Sequence, residues 1–155
     1  MIATRPTGTE ADHTCARPPH FNHVAMSVPP DLLDEEHRRL LGDFYTEVFG
    51  WQVLDVMTED RKRMVFGCHT VEQFVFLHGD EPAMACPRLD HYGFSVATEA
   101  ELDAILARAK AYKVRDDRVD IVDRKTDDHG PLAITAIYIG YLLPMMVEIQ
   151  WWEYK

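Results

Sequence analysis

The chain repeats one short pattern, and the two copies place His23 and His91 68 positions apart. Both copies read apolar-x-His-x-small-apolar-Ser-Val, in the segments 21–28 and 89–96. The alternation sends the histidine and the small residues to one side of an extended strand and the large apolar residues to the other. An internal repeat of this kind predicts a chain built from two similar modules.

Each copy of the pattern is followed by one helix and then by three short strands. In the first module the apolar spacing predicts a helix from Asp34 to Val48, ended by Gly50. In the second, Thr98 and Glu101 have the spacing of a capping box ahead of a stripe formed by Leu102, Ile105, Leu106 and Ala109. The predicted later strands are 51–56, 63–68 and 74–78 in the first module and 119–122, 134–139 and 145–151 in the second.

The predicted fold class is α+β, with two βαβββ modules forming a curved, mixed eight-stranded sheet around a metal-binding cavity. The modules run from about 21 to 80 and from about 88 to 155 in a single domain, and residues 1–20 are expected to form a flexible arm. The acidic pairs Asp116-Asp117 and Asp127-Asp128 are assigned to exposed connections.

Charge and composition exclude several classes of partner. The formal charge of −10 disfavours nucleic acid, and no apolar stretch is long enough for a membrane span or a signal peptide, so a cytoplasmic location is expected. Cys15, Cys68 and Cys86 are odd in number and lack CxxC spacing, which argues against a disulfide framework and a thiolate zinc site.

The face that carries the two histidines is the candidate functional surface. Ala25 and Ser27 accompany His23, and Gly93 and Ser95 accompany His91, which leaves room for a ligand. On the last strand Glu148 lies in an apolar run, where a carboxylate is costly to bury unless it is paired or bound to a metal. Two histidines and one carboxylate are the ligand set of an open divalent-metal site, although single strand histidines are more often hydrogen-bonded core residues.

These features resemble the vicinal oxygen chelate superfamily, which includes glyoxalases, bleomycin resistance proteins and type I extradiol dioxygenases. The phrase Asp43-Phe-Tyr-Thr-Glu-Val-Phe-Gly-Trp51 is also similar to a helix ending common there. The resemblance implies metal ligation by His23, His91 and Glu148. It further implies a small-molecule substrate and a homodimer, to which the aromatic tail 151–154 would add apolar contact area.

The C-terminal segment is similar to the signature of the extradiol dioxygenases. His129, the pair Ile137-Tyr138 and Glu148 have the spacing of that signature, which implies catalytic roles for His129 and Tyr138. The first hypothesis is therefore an Fe(II) oxidoreductase that cleaves a catechol or another substrate with adjacent oxygens. The residue for the acid–base role of the first module stays open among His69, Gln73 and His78.

Two other hypotheses stay open. A metal-assisted isomerase, epimerase or group transferase would use Zn, Ni, Co or Mn in the same site. Phe76 stands where the glyoxalases have a further carboxylate, and Ala25 where thiol transferases have a small polar residue, so both subclasses are disfavoured. A metal-free sequestering protein would instead hold a planar ligand among aromatic residues, for which the candidates are Trp51, Tyr92, Trp151 and Trp152.

Overall fold

The computed structural model of the protein describes residues 19–58 and 60–155. The predicted arm therefore lies outside the described residues as far as residue 18, and so does Cys15. The first module contains β1 (His23–Val28), α1 (Glu35–Phe49), β2 (Gln52–Val53), β3 (Arg63–Gly67) and β4 (Phe74–Gly79). The second contains β5 (His91–Val96), α2 (Glu99–Arg115), β6 (Asp120–Asp128), β7 (Leu132–Gly140) and β8 (Met146–Tyr154).

The two modules have the same topology. In the first, the strand order is β1-β4-β3-β2, and in the second it is β5-β8-β7-β6. The first strand of each module pairs in parallel with the last, and the other pairs are antiparallel. The α+β class and the repeated modules are thus confirmed, and the eight strands are divided between two four-stranded sheets.

Local sequence signals explain both helices. The Asp34 side chain accepts a hydrogen bond from the His37 backbone N–H at 2.8 Å, and Gly50 ends α1 in the left-handed conformation, with φ 76°. The capping box of Thr98 and Glu101 is present at the start of α2. The predicted helix starts and the glycine stop are therefore confirmed.

Two strand predictions are wrong in extent. Only Gln52–Val53 of the segment 51–56 is a strand, because the chain turns into a short 3-10 helix at Asp55–Met57. Asp127 and Asp128 belong to β6 rather than to a connection, and their backbones pair with Ile134 and Ala133 of β7. A strand at the edge of a sheet accepts charged side chains on its exposed face, so charge density alone did not mark a loop there.

The modules are joined through their helices and a shared aromatic core. Phe44 of α1 lies 5.0 Å from Tyr112 of α2 and 4.4 Å from Tyr141, measured between ring centroids. The Tyr45 hydroxyl donates to the Tyr141 carbonyl at 3.1 Å, and Arg108 of α2 donates to the Val48 carbonyl at 2.9 Å. The histidine-bearing faces of the sheets are the opposite ones, since Met26 and Val28 of β1 are the buried residues of that strand.

A polar network closes the end of α2. Asp116 accepts hydrogen bonds from the Tyr141 hydroxyl at 2.6 Å and from the Arg118 guanidinium at 2.8 Å. Arg118, followed by Tyr141, holds the pKa of the Asp116 carboxyl well below its usual range. A depressed pKa means that the folded chain prefers the charged carboxylate, so this network stabilises the fold while Asp116 is ionised.

We expect Asp116→Asn to lower the free energy of unfolding by about 1–2 kcal/mol at neutral pH, because the charge-assisted hydrogen bonds of the carboxylate are lost. The effect is no larger because these bonds are partly exposed to water. The difference from wild type should be constant above the ordinary pKa of 3.8 and should shrink as the pH falls below it. Urea unfolding between pH 3 and pH 8 measures this. Asp117→Asn, at the exposed neighbouring position, is the control. An equal loss at all pH values would contradict the assignment.

Candidate functional site

A histidine and a buried carboxylate meet on the open face of the second sheet. Strand β8 alternates so that Met146, Glu148 and Gln150 share one face, and Glu148 lies between Gly93 of β5 and Tyr138 of β7. The His91 Nε2 atom lies 3.4 Å from the Glu148 Oε2 atom. The Glu148 side chain is 7% exposed and that of His91 is 38% exposed, so the carboxylate lies beneath an accessible imidazole.

The tautomer of His91 is fixed by its other ring nitrogen. Nδ1 lies 2.7 Å from the Leu89 carbonyl oxygen, which can only accept a hydrogen bond, so Nδ1 carries the proton of the neutral ring. In the neutral ring the lone pair of Nε2 therefore faces the Glu148 carboxylate, so that two acceptors face one another, whereas a second ring proton makes the contact an ion pair. A cation between them satisfies both groups.

This pair fits a divalent metal ion. Two metal–ligand bonds of about 2.1 Å at a tetrahedral angle place their donor atoms about 3.4 Å apart, which is the separation found here. Gly93 makes the space, because a Cβ atom at that position would lie 3.0 Å from Glu148 Oε2. An imidazole nitrogen and a carboxylate oxygen form a donor set that suits several first-row divalent ions.

Tyr138 acts on this carboxylate from the neighbouring strand. Its ring lies 5.0 Å from the His91 ring in an edge-on arrangement, and it is paired with Glu148 across the two strands. Hydrogen bonding to the Glu148 carboxylate, followed by burial, raises the pKa of Tyr138 to about 12. The hydroxyl thus stays protonated beside the Glu148 carboxylate.

His23 lies on the other sheet, in the equivalent position of the repeat. Its ring stacks on Phe74 at 4.8 Å, and its Nδ1 atom is 2.8 Å from the Asn22 side-chain oxygen, which leaves Nε2 free. The structure does not bring His23 to His91 and Glu148. Among residues 19–58 and 60–155, no group of three His, Cys, Asp or Glu side chains could hold a metal ion.

The register explains why the first module lacks a carboxylate of its own. Ala25 of β1 pairs with Phe76 of β4, as Gly93 pairs with Glu148 in the second module. Phe76 therefore occupies the position that corresponds to Glu148. The sequence-based placement of Phe76 agrees with this register.

His129 lies at the end of the β6–β7 hairpin. Its backbone N–H donates to the Leu132 carbonyl at 2.8 Å. The strand from Leu132 to Tyr138 spans about 20 Å at the usual rise per residue. The structure therefore brings Tyr138, and not His129, to the pair of His91 and Glu148.

A groove of about 960 Å³ begins at Gly93, the cross-strand neighbour of Glu148, and neither Glu148 nor His91 lines it. Gly93 and Ser95 form part of its wall, as the small residues of the repeat predict, together with Gln150, Trp152 and Tyr154. Trp152 and Tyr154 are 41% and 42% exposed. The wall residue Glu101 was not predicted as a ligand contact, because its spacing from Thr98 indicates only a helix cap.

The aromatic residues proposed for ligand binding divide into two groups. Tyr92 packs in the core and is 8% exposed. Trp51 is 3% exposed and lines a cavity of about 360 Å³ that shares Gly93, Phe94 and Ser95 with the groove. Trp152 lines the groove and Trp151 is partly buried against the core. Of the acid–base candidates, His69 lines the groove, Gln73 has a buried side-chain oxygen without a partner, and His78 stacks on Phe76.

Paired βαβββ modules with a histidine and a glutamate on one open sheet face define a class of small-molecule-binding proteins. The profile of the Glyoxalase/Bleomycin resistance protein/Dioxygenase superfamily matches residues 41–130. The chain belongs to this superfamily. No protein of curated function matches the chain significantly.

Solved structures show the same fold at low sequence identity. Lactoylglutathione lyase from Agrobacterium tumefaciens is 17% identical, with a TM-score of 0.59, and the alignment covers 87% of this chain and 95% of that one. A genomically encoded fosfomycin resistance protein from Listeria monocytogenes is 14% identical, with a TM-score of 0.56 and coverage of 87% and 94%. A glyoxalase/bleomycin resistance protein from Albidiferax ferrireducens is 12% identical, with a TM-score of 0.57 and coverage of 84% and 98%.

The oxidoreductase prediction is wrong by this comparison. The similar structures are named as a lyase and as resistance proteins and not as dioxygenases, so the extradiol assignment and its preference for iron have no support. None of the helices in the described ranges combines the length and apolar character needed to cross a membrane.

Proposed function

We propose that the protein binds a divalent metal ion through His91 and Glu148 of one subunit and His23 of the partner subunit, in a homodimer. The observation that carries this proposal is the pair of facing acceptors, His91 Nε2 and Glu148 Oε2, at 3.4 Å. His23 supports it, because an oxygen acceptor holds its Nδ1 atom in the same way and leaves Nε2 free. A two-fold axis would create two equivalent sites, since the same surfaces meet twice.

The proposed activity is metal-assisted isomerisation or group transfer without net oxidation. A divalent ion in this site would polarise a substrate that carries two adjacent oxygens. Tyr138 would act as a positioning residue, because it pairs with Glu148 across the strands and its hydroxyl stays protonated beside that carboxylate. The groove beside Glu148 would hold the rest of the substrate, with Trp152 and Tyr154 as apolar contacts.

The shared site is tested by mixing two variants that each lose the metal ion. We expect wild type to bind about one zinc or manganese ion per chain, and His23→Ala and His91→Ala each to lose it. A refolded mixture of the two variants should regain one ion per heterodimer, because one of its two sites has all three ligands. The ion content of separated heterodimers, measured by plasma mass spectrometry, gives the answer.

The matched control is a mixture of His91→Ala with Glu148→Gln. These substitutions affect the same half of the site, so no heterodimer of this mixture has a complete set of ligands. Recovery in this control, or no recovery in the first mixture, would contradict a site shared between subunits. Metal-loaded protein is then assayed with methylglyoxal plus glutathione and with fosfomycin plus a thiol or water as nucleophile, under air and under argon. A measurable rate with one of them, equal under both atmospheres, is expected.

A second candidate function is sequestration of a planar ligand. It is favoured by the exposed rings of Trp152 and Tyr154 along the groove. Ligand binding that is unchanged by chelators and by His91→Ala would favour this function over metal-assisted catalysis.

A further inference from the structure

The open face of β8 presents a row of four different side chains. Glu148, Gln150, Trp152 and Tyr154 alternate with the residues that face the other side of the sheet. Successive members of the row are about 7 Å apart along an extended strand. Glu148 is buried, Gln150 is half-buried, and Trp152 and Tyr154 are exposed. A molecule that lies along β8 would therefore meet a carboxylate, an amide and two aromatic rings, in that order.

Small side chains on the neighbouring strands leave room beside the middle of this row. Ser95 of β5 and Ala136 of β7 are the cross-strand partners of Gln150, and Gly93 of β5 is a partner of Glu148. The groove of about 960 Å³ includes the last three members of the row. It therefore continues from the proposed metal site along the direction of the strand.

The side-chain amide of Gln150 is held in one orientation. The Nε1 atom of Trp152 donates to the Gln150 Oε1 atom at 2.8 Å. An indole N–H can only donate a hydrogen bond, so the amide oxygen is the group bound to it and the amide nitrogen is left for another partner. Gln150 thus presents N–H donors at the groove, the indole ring lies directly beside them, and Ser95 adds a hydroxyl from the next strand.

The charge of the groove wall favours an uncharged acceptor for these donors. Among the described residues that line the groove, His69 is the only basic side chain, whereas Glu101 contributes a carboxylate. Glu148 adds a second carboxylate one step along β8 from Gln150, and the whole chain has a formal charge of −10. An anionic group at Gln150 would be repelled by these charges. A neutral carbonyl oxygen accepts from the amide without that repulsion.

We propose that the groove selects an elongated ligand in which an uncharged carbonyl group is attached to a planar ring. The carbonyl oxygen accepts from Gln150 Nε2 and from the Ser95 hydroxyl, and the ring lies against Trp152 and Tyr154. The other end of the molecule carries the adjacent oxygens that reach the metal ion, and this end alone rests on the proposed function. Gln150 then distinguishes substrates by the polar group that lies beyond the metal-binding end.

The test compares hydroxamic acids, whose two adjacent oxygens bind divalent ions, by calorimetry with metal-loaded protein. Benzoyl-β-alanine hydroxamate has an amide carbonyl next to its phenyl ring, and 5-phenylpentanohydroxamate has methylene groups in place of that amide. The first should bind about tenfold more tightly, since it alone makes the hydrogen bonds to Gln150 and Ser95. Glutaric acid monohydroxamate, with a carboxylate at the same distance, should bind no better than acetohydroxamate. Equal affinity of the two phenyl compounds, or a tenfold gain from the carboxylate, would overturn the proposal.

Variants assign the preference to the amide of Gln150. Gln150→Leu should bind the two phenyl compounds equally, because a leucine side chain has no donor. Trp152→Phe keeps a ring but lacks the indole N–H, so the amide is no longer oriented and the preference should fall to about threefold. Glu153→Gln, at an exposed position on the other face of β8, is the matched control and should keep the wild-type preference. A tenfold preference that survives in Gln150→Leu would overturn the proposal.

A second pair of ligands separates the groove from the metal site. Benzoyl-β-alaninamide and 5-phenylpentanamide have the same tails but do not chelate, and they are titrated into metal-free protein while the indole N–H resonance of Trp152 is followed by NMR. The first should again bind about tenfold more tightly, with affinities in the millimolar range. Absence of that preference overturns this inference, whether or not the protein holds metal. A chain that keeps the preference but binds no metal contradicts only the proposed function.

Discussion

Glu148→Gln is expected to lower metal affinity at least about 100-fold while the metal-free protein stays as stable as wild type or becomes more stable. The amide oxygen that replaces the carboxylate is neutral and binds divalent ions weakly. Without metal and with a neutral His91 ring, the buried carboxylate of wild type faces the lone pair of His91 Nε2 at 3.4 Å, whereas the side-chain amide introduced by the substitution can donate to that nitrogen. Affinity is measured by competition with a chelator, and stability by thermal unfolding with and without metal.

The control for this prediction is Glu153→Gln, an exposed glutamate on the same strand, which should change neither quantity. Gly93→Ala tests the same geometry without removing a ligand, since its Cβ atom would meet Glu148 Oε2 at 3.0 Å. It should weaken metal binding about tenfold. Gly140→Ala, where a Cβ atom would meet the Met146 side chain at 3.4 Å and the Asp120 Cβ atom at 3.8 Å, should not. Stoichiometric metal in Glu148→Gln would contradict the site.

Local patterns in the sequence were sufficient for most of the fold. The repeat around His23 and His91 predicted both first strands, and helix caps at Thr98 and Gly50 marked where α2 begins and where α1 ends. The division into two sheets could not be predicted, because strand periodicity gives no information on which strands are hydrogen-bonded neighbours. The length of β6 was also underestimated. Its second half is highly charged, which an edge strand tolerates but which is not typical of a buried strand.

The candidate site was predictable where it depends on strand alternation. Alternation placed Glu148 on one face of the last strand and Gly93 on the histidine-bearing face of β5, and the structure shows that the two are cross-strand neighbours. The apolar neighbours of Glu148 indicated that its carboxylate needs a partner or a metal, and it is buried. The distance between His23 and the other two residues depends on how the sheets are arranged, which no local pattern specifies. In the same way, linear spacing suggested a joint role for His129 and Tyr138, but the intervening strand is fully extended and separates them.

The prediction of the reaction class depended on residues that are far apart in the sequence. The extradiol signature extends over the β6–β7 hairpin and β8, and its spacing is present in this chain from His129 to Glu148. Equal spacing does not by itself bring residues together, because the extended strand β7 separates His129 from Tyr138. The two parts of the signature that are neighbours across strands, Tyr138 and Glu148, are the parts that the structure brings together.

Phe44→Ala is expected to lower the free energy of unfolding by about 3–5 kcal/mol, a large part of the stability of a domain of this size. Phe44 is fully buried, and its ring contacts Tyr45 in its own helix, Tyr112 in α2 and Tyr141 after β7. Truncation leaves a cavity where both modules meet, and aromatic pairs contribute beyond the buried area. Urea unfolding followed by circular dichroism measures the loss.

The control for Phe44→Ala is Phe21→Ala, where the ring is 72% exposed and the expected change is below about 0.5 kcal/mol. Because Phe44 links the helices of both modules, its loss should lower the unfolding midpoint seen by every probe in one transition. Fluorescence of Trp51, in the first module, and hydrogen exchange of β7, in the second, should therefore shift together. A shift confined to the first module would show that the two modules are stable independently, in spite of the aromatic contacts that join them.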